Sequence, residues 1–218
     1  MGKKIIILAA LLLLAAGAVG QDQRFDASVS FAGAFQNSAT GNGITQSATN
    51  GTNIFITLRA KFKEKHSVVF NYGAAKDSQI FQSFQDFHVG TKIRELSGAY
   101  MFTPYKKGGF EVFGLAGAAV LKFSPRNTYV ILPPVNDEPN NVPVNVFTQS
   151  QSQPAFLYGV GTDYTLPWFP RFALRLQYRG FLYNNPDFKV TNTSNAISFF
   201  TGTKGHMAEP SLGLVFRF

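Results

Sequence analysis

Side chains of alternating character recur along this chain in short segments, and nowhere after residue 20 does an apolar run approach the roughly 18 residues expected of a spanning helix. In Pro210 to Phe218, the residues Leu212, Leu214, Phe216 and Phe218 share one parity, and Ser211, Gly213, Val215 and Arg217 share the other. Successive side chains of a strand point to opposite faces, so this segment makes a ribbon with one apolar and one polar side. One side suits lipid and the other a polar interior. A helical membrane protein is excluded, because its spans would be continuous apolar blocks.

The same period predicts strands near 24–36, 52–62, 67–75, 86–102, 110–123, 154–166, 171–183 and 206–218. The connections between them alternate long (37–51, 76–85, 124–153, 184–205) and short (63–66, 103–109, 167–170). Parity gives outward sets such as Phe25, Ala27, Val29, Phe31, Gly33 and Phe35, then Ile54, Ile56, Leu58, Ala60 and Phe62, then Phe172, Leu174, Leu176, Tyr178 and Leu182. The segment 86–102 carries apolar residues on both parities, Phe87, Val89 and Ile93 against Leu96, Gly98, Tyr100 and Phe102, and a bulge near Arg94 is expected to reconcile them. Aromatics gather at the short connections: Phe62, Phe102, Tyr105, Phe110, Trp168, Phe169, Phe172, Phe216 and Phe218. A girdle at a membrane interface collects rings in this way. In the connection 124–153, Thr128 to Leu132 and Val142 to Phe147 are β-prone and predict a hairpin beyond the membrane, while Pro133, Pro134, Pro139 and Pro143 argue against two further spanning strands. The expected fold is therefore all-β: a single antiparallel transmembrane β-barrel of about eight strands, following a cleaved signal peptide. A soluble barrel with Leu212, Leu214, Phe216 and Phe218 turned inward is the alternative.

Lys3 and Lys4, an apolar stretch from Ile5 to Ala16, and small residues at Gly17 to Gly20 match a secretory leader, which places a signal peptide at 1–20 and one barrel domain at 21–218. The chain has no cysteine, so an exported protein of this kind forgoes disulfides. The formal charge of +8 includes Lys3 and Lys4, which leave with the leader. No Lys/Arg cluster interleaved with stacking aromatics points to nucleic acid, and anionic lipid is the simpler counterpart.

An eight-stranded interior is just wide enough for side chains to fill it. Glu95, Asp163, Arg175, Arg179, Glu209 and Arg217 have lumen parity and are expected to plug the barrel as paired charges, since an unpaired buried charge is costly. Catalysis would have to recruit the histidines. His66 lies in a short turn, and His88 and His206 lie on strands from opposite sides of an eight-stranded ring. Neither a phosphate-binding glycine loop nor a paired-cysteine motif occurs, and no catalytic residue, metal or cofactor is expected.

The leader, the long-short rhythm, Phe156-Leu-Tyr-Gly-Val-Gly-Thr-Asp-Tyr164 and Leu212-Gly-Leu-Val-Phe-Arg-Phe218 together make the mature chain resemble the small outer-membrane β-barrel proteins of Gram-negative bacteria, the class of the outer membrane protein A transmembrane domain and outer membrane protein X. The resemblance implies escort by periplasmic chaperones, insertion by the β-barrel assembly machinery through a signal at Leu214, Phe216 and Phe218, and a charged side-chain plug. Long loops would then face the exterior and short turns the periplasm. In that orientation Lys92, Arg94, Lys122, Arg126 and Lys189 fall where lipopolysaccharide phosphates sit. The expected role is that of a monomeric, non-enzymatic outer-membrane component interacting through its surface loops. A narrow solute channel and, behind it, a lipid-modifying or proteolytic enzyme are the alternatives.

Overall fold

The computed structural model describes residues 24–82, 86–131, 143–145, 148–189 and 200–218, so the expected leader lies outside the described residues. The strands are β1 (Phe25–Gln36), β2 (Ala39–Gly41), β3 (Ile44–Ala48), β4 (Gly51–Lys63), β5 (His66–Gln82), β6 (Asp86–Lys107), β7 (Phe110–Ile131), β8 (Pro143–Asn145), β9 (Gln151–Leu166), β10 (Phe169–Asn184) and β11 (Lys204–Arg217). Eight of them pair antiparallel in the cyclic order β1, β4, β5, β6, β7, β9, β10, β11, and β11 returns to β1 through Ala27–Phe216, Val29–Leu214 and Phe31–Leu212. Closure removes every edge that a sheet of this size would otherwise expose in lipid.

Burial alternates with the pleat, and its sign is that of a membrane barrel. Asp26, Ser28 and Ser30 are buried inside β1, whereas Phe25, Val29 and Phe31 are exposed outside it. Leu212 is 60% exposed on the outer wall while Glu209, three residues away on the inner wall, is 0%. The soluble alternative, with the β11 leucines turned inward, is thereby excluded. The aromatics at the short-turn end form contacts around the rim: Phe25 with Phe218 at 6.3 Å, Phe172 with Phe216 at 5.3 Å, and Phe110 with Tyr164 at 4.5 Å between ring centroids. The turn between β6 and β7 places Gly108 and Gly109 at φ of 61° and 85°, and such a two-residue reversal admits side chains only under strain.

Three expectations are corrected. The segment 76–85 is not a long loop: β5 runs to Gln82 and β6 starts at Asp86. Lys76 to Gln82 stand beyond the apolar outer rows, so neither parity needed to be apolar and the strand signal faded. β6 also has no bulge at Arg94. Its register against β5 is unbroken from Asp86 to Phe102, and its shifts against β7 fall between Val89 and Gly90 and between Phe102 and Tyr105. The two apolar parities exist because Val89 and Ile93 face an interior that is itself apolar at that height. Finally, the connection 37–51 is built: β2 and β3 form a hairpin about Asn42-Gly43, and β3 pairs with Gln79 to Gln82 of β5. The excursion after β7 pairs β8 with Tyr129 to Ile131, as the β-prone runs predicted. With 22 residues each, β6 and β7 extend for about 70 Å and stand far above a hydrocarbon layer about 25 Å tall.

Candidate functional site

The interior is layered along the barrel axis. Nearest the short turns lies a charged layer in which Arg59, from β4, pairs with Asp26 and, at 3.3 Å, with Asp163. Arg175 holds the same Asp163 through two parallel bonds, Nε at 2.7 Å and Nη2 at 2.8 Å, the planar fork that guanidinium offers a carboxylate. Arg217 reaches Glu111 at 3.3 Å and donates to Thr165 Oγ1 at 2.8 Å. A second layer, midway up, centres on Arg179. Its Nη1 and Nη2 each donate to Glu95 at 2.9 Å, Nη2 also pairs with Glu209, and the guanidinium lies 3.6 Å from the centroid of Phe55. Asn53 donates to Glu209 at 2.7 Å, and a relay from Thr57 through Asn71 and Ser97 ends on Glu95.

All six residues assigned to the lumen from parity, Glu95, Asp163, Arg175, Arg179, Glu209 and Arg217, point inward and are buried. Sequence reading missed Asp26, Arg59 and Glu111. Asp26 and Arg59 stand on the polar parity of two segments whose outward sets had already been named, so the alternation contained them; Glu111 sits beside a turn, where parity is least constrained.

Above the charges the lumen turns apolar. Phe81, Val89, Ile93, Leu121, Phe123, Leu157, Phe181 and Met207 interdigitate with no more than 2% exposure. Phe188, which belongs to the turn after β10 and not to a strand, drops into this layer and meets Phe81 edge-on at 6.1 Å. Phe188 and Lys189 hold φ of 53° and 46°, a left-handed pair that bulky side chains adopt only when their surroundings compel it. Here the amides of Asp187 and Phe188 donate to Gln151 Oε1 at 3.0 and 3.2 Å, and the Phe188 carbonyl accepts from Gln149 at 2.8 Å. Gln46 reaches across the mouth to the Pro186 carbonyl at 3.2 Å.

A polar ring lines the mouth beyond the apolar belt. Asp77 accepts from Gln36 and, at 2.8 Å, from Gln79, while Tyr183 donates to Gln36 at 2.8 Å. No cation faces Asp77 among the described residues, and burial pushes its carboxyl up to about 6 against the pull of those two hydrogen bonds. Beside this ring lies a cavity of about 390 Å³ lined by Gln151, Gln153, Asn184, Asn185, Asp187, Phe200, Gly202 and Thr203.

On the outer wall, Lys92, Arg94, Lys122 and Arg126 lie with Lys76 on three adjacent strands. Lys76 stands opposite Lys92, Arg94 opposite Lys122, and Gly90 opposite Arg126. Lys189 is exposed on the Phe188 turn, outside this group. Leu214, Phe216 and Phe218 share the outer face at the end of β11. His88 is exposed on β6, His206 bonds Tyr158 at 2.8 Å on β11 across the barrel, and His66 sits among Phe62, Tyr100 and Phe102 at the short-turn rim. No group of three or more metal-ligating side chains occurs among the described residues.

Residues 6–199 match the family described as outer membrane protein beta-barrel domain. Among solved structures, the outer membrane protein OprG from Pseudomonas aeruginosa superposes with a TM-score of 0.60 at 13% identity, covering 89% of this chain and 95% of that one. Neisserial surface protein A (NspA) superposes with a TM-score of 0.55 at 14% identity, covering 91% and 99%. At these identities the likeness is one of fold. No curated protein sequence matches the chain.

Proposed function

The chain belongs to the outer membrane protein β-barrel domain family, and from that premise we propose that it is a non-enzymatic, integral component of the bacterial outer membrane that keeps its lumen shut and works through its long-loop end. The observation that carries this reading is the filled interior: two layers of ion pairs followed by an apolar layer, each spanning the lumen. A hydrated path would have to break buried guanidinium–carboxylate pairs or open the packed Phe81–Phe188 layer, and either costs several kcal/mol, roughly. The histidines available for general-base chemistry lie on opposite walls or at the far rim, which favours a binding or structural role over catalysis.

In this reading residues 1–20 direct export and are removed, chaperones deliver the chain, and the apolar outer face of Leu214, Phe216 and Phe218 is what the assembly machinery engages. The long loops face the exterior, and the mouth with its amide-lined cavity is what a surface partner meets. The test joins two measurements on the full barrel. Single-channel recording in planar bilayers should show no steady conductance, and protease added to intact cells should cut only near 37–51, 124–153 or 184–205. Steady opening would replace the closed-barrel reading with that of a narrow solute channel, and cleavage at the short turns would invert the topology.

A further inference from the structure

Lys76, Lys92, Arg94, Lys122 and Arg126 occupy outward positions on β5, β6 and β7, immediately above the apolar rows that contain Tyr72, Leu96 and Val120. None forms an ion pair among the described residues; every salt bridge described lies inside the barrel or at its short-turn rim. The arrangement is costly in itself. Lys76 faces Lys92, and Arg94 faces Lys122, and like charges directly opposite across a ladder destabilise a sheet. It is also one-sided. β1 and β9 carry no Lys or Arg, β10 exposes only Arg171 near its short-turn end, and β11 exposes only Lys204 at its first residue. Charges serving merely to keep loop bases solvated would be spread around the rim.

We propose that this wall is a docking site for the phosphorylated glycolipid of the outer leaflet, the lipid portion of lipopolysaccharide, with its phosphates among the five cations and its acyl chains along Leu96, Val120 and Tyr72. The proposal rests on the outward orientation of the long loops given above. The footprint spans four residues along β6 and two strand spacings across it, about 13 by 10 Å, which fits one head group bearing more than one phosphate. A bound polyanion turns two repulsive pairs into a bridged cluster, and lysine and arginine supply charge-assisted bonds to its oxygens. Lys76 enters the site through its register opposite Lys92, whereas Lys189 stays outside it.

The experiment compares the wild-type barrel with an R94Q/K122Q variant in nanodiscs of neutral phosphatidylcholine, alone or with bis-phosphorylated lipid A, monophosphoryl lipid A or phosphatidylglycerol, and with inorganic pyrophosphate added in solution. Native mass spectrometry counts retained lipid, and the heat-modifiable gel transition reads stability. The wild type should retain bis-phosphorylated lipid A at least tenfold more tightly than phosphatidylglycerol, and the variant should lose about tenfold or more of that affinity. The stability difference should change sign: with repulsion relieved, the variant should melt above the wild type in neutral lipid and below it with lipid A. Pyrophosphate should protect neither protein. Equal retention of phosphatidylglycerol, equal protection by pyrophosphate, or a stability difference of one sign in every lipid would overturn the proposal. A K63Q/K65Q variant at the opposite rim should leave lipid A retention unchanged, and a loss there would overturn it too. A barrel that conducts yet shows the inversion would sink the closed-lumen reading and leave this one standing.

Discussion

Replacing Arg179 by alanine tests the central layer most directly. The guanidinium is fully buried, donates twice to Glu95, pairs with Glu209 and stacks on Phe55. Its removal leaves two carboxylates with only Asn53 and Ser97 as hydrogen-bond donors in place of a cation. Breaking one buried pair costs about 3–5 kcal/mol, and because one arginine serves two acids here the expected loss is near 5 kcal/mol. Neutralising the whole layer, as R179M/E95Q/E209Q, removes the stranded charges and should recover to within about 2 kcal/mol of the wild type. The assay is equilibrium unfolding in urea of barrels refolded into vesicles, followed by the fluorescence of Trp168, the sole tryptophan, and by heat-modifiable migration. A loss below about 1 kcal/mol for Arg179→Ala, or a triple variant no better than the single one, would refute the view that the plug is held by mutual neutralisation.

Asp77 supplies a pH test. Its folded carboxyl titrates near 6, above the unfolded value, so the folded state binds the proton more tightly and stability falls as pH rises from about 4 through 6. The full swing is on the order of 2–3 kcal/mol, and Asp77→Asn should flatten it and raise stability at pH 7, as urea midpoints across pH would read. Phe188→Ala removes the apolar stopper; hydrogen exchange should quicken across 185–189 and Gln149 to Gln151, while bilayer conductance stays absent because the charged layers below remain. Gly117→Ala should destabilise by about 1–3 kcal/mol, since an added Cβ would strike the Gly98 carbonyl and lie 2.6 Å from the Ala99 Cβ. In Gly180→Ala the atoms nearest the added Cβ belong to the outer Tyr158 ring, which can turn aside, and the change should cost under about 1 kcal/mol by the same urea titration.

The barrel was legible in the sequence wherever lipid imposed one apolar face. Phe25 to Phe35, Ile54 to Phe62 and Leu212 to Phe218 read outward by parity, and so they stand. Legibility failed where the membrane ends. Above the belt, β5 and β6 continue as strands with water outside and apolar packing inside, so Lys76 to Gln82 read as loop and Val89 with Ile93 read as a register fault. The lumen acids and bases were visible one at a time, but their partners depend on strand register, as for Arg175 with Asp163, or on closure, as for Arg179 with Glu95. The outer cations were likewise visible singly; that Lys76 meets Lys92 and Arg94 meets Lys122 is a matter of register, which periodicity does not encode.

Some ion pairs inside the barrel join neighbouring strands, as Asp26 with Arg59, Asp163 with Arg175 and Glu209 with Arg179 do, but others cross the lumen. Arg59 on β4 meets Asp163 on β9, four strands away in either direction around the ring, and Arg179 on β10 meets Glu95 on β6, three strands away. In a flat sheet those partners would stand about 19 and 14 Å apart, beyond the reach of any side chain. Zipping one strand onto the next satisfies backbone groups and the adjacent-strand ion pairs step by step, but the cross-lumen pairs form only when the last seam, β1 to β11, comes together and the wall curls shut. An unclosed sheet keeps each arginine's adjacent carboxylate but lacks the second one, Asp163 for Arg59 and Glu95 for Arg179. The cross-lumen half of the charge layers therefore rewards closure itself, over and above what each strand gains from its neighbour.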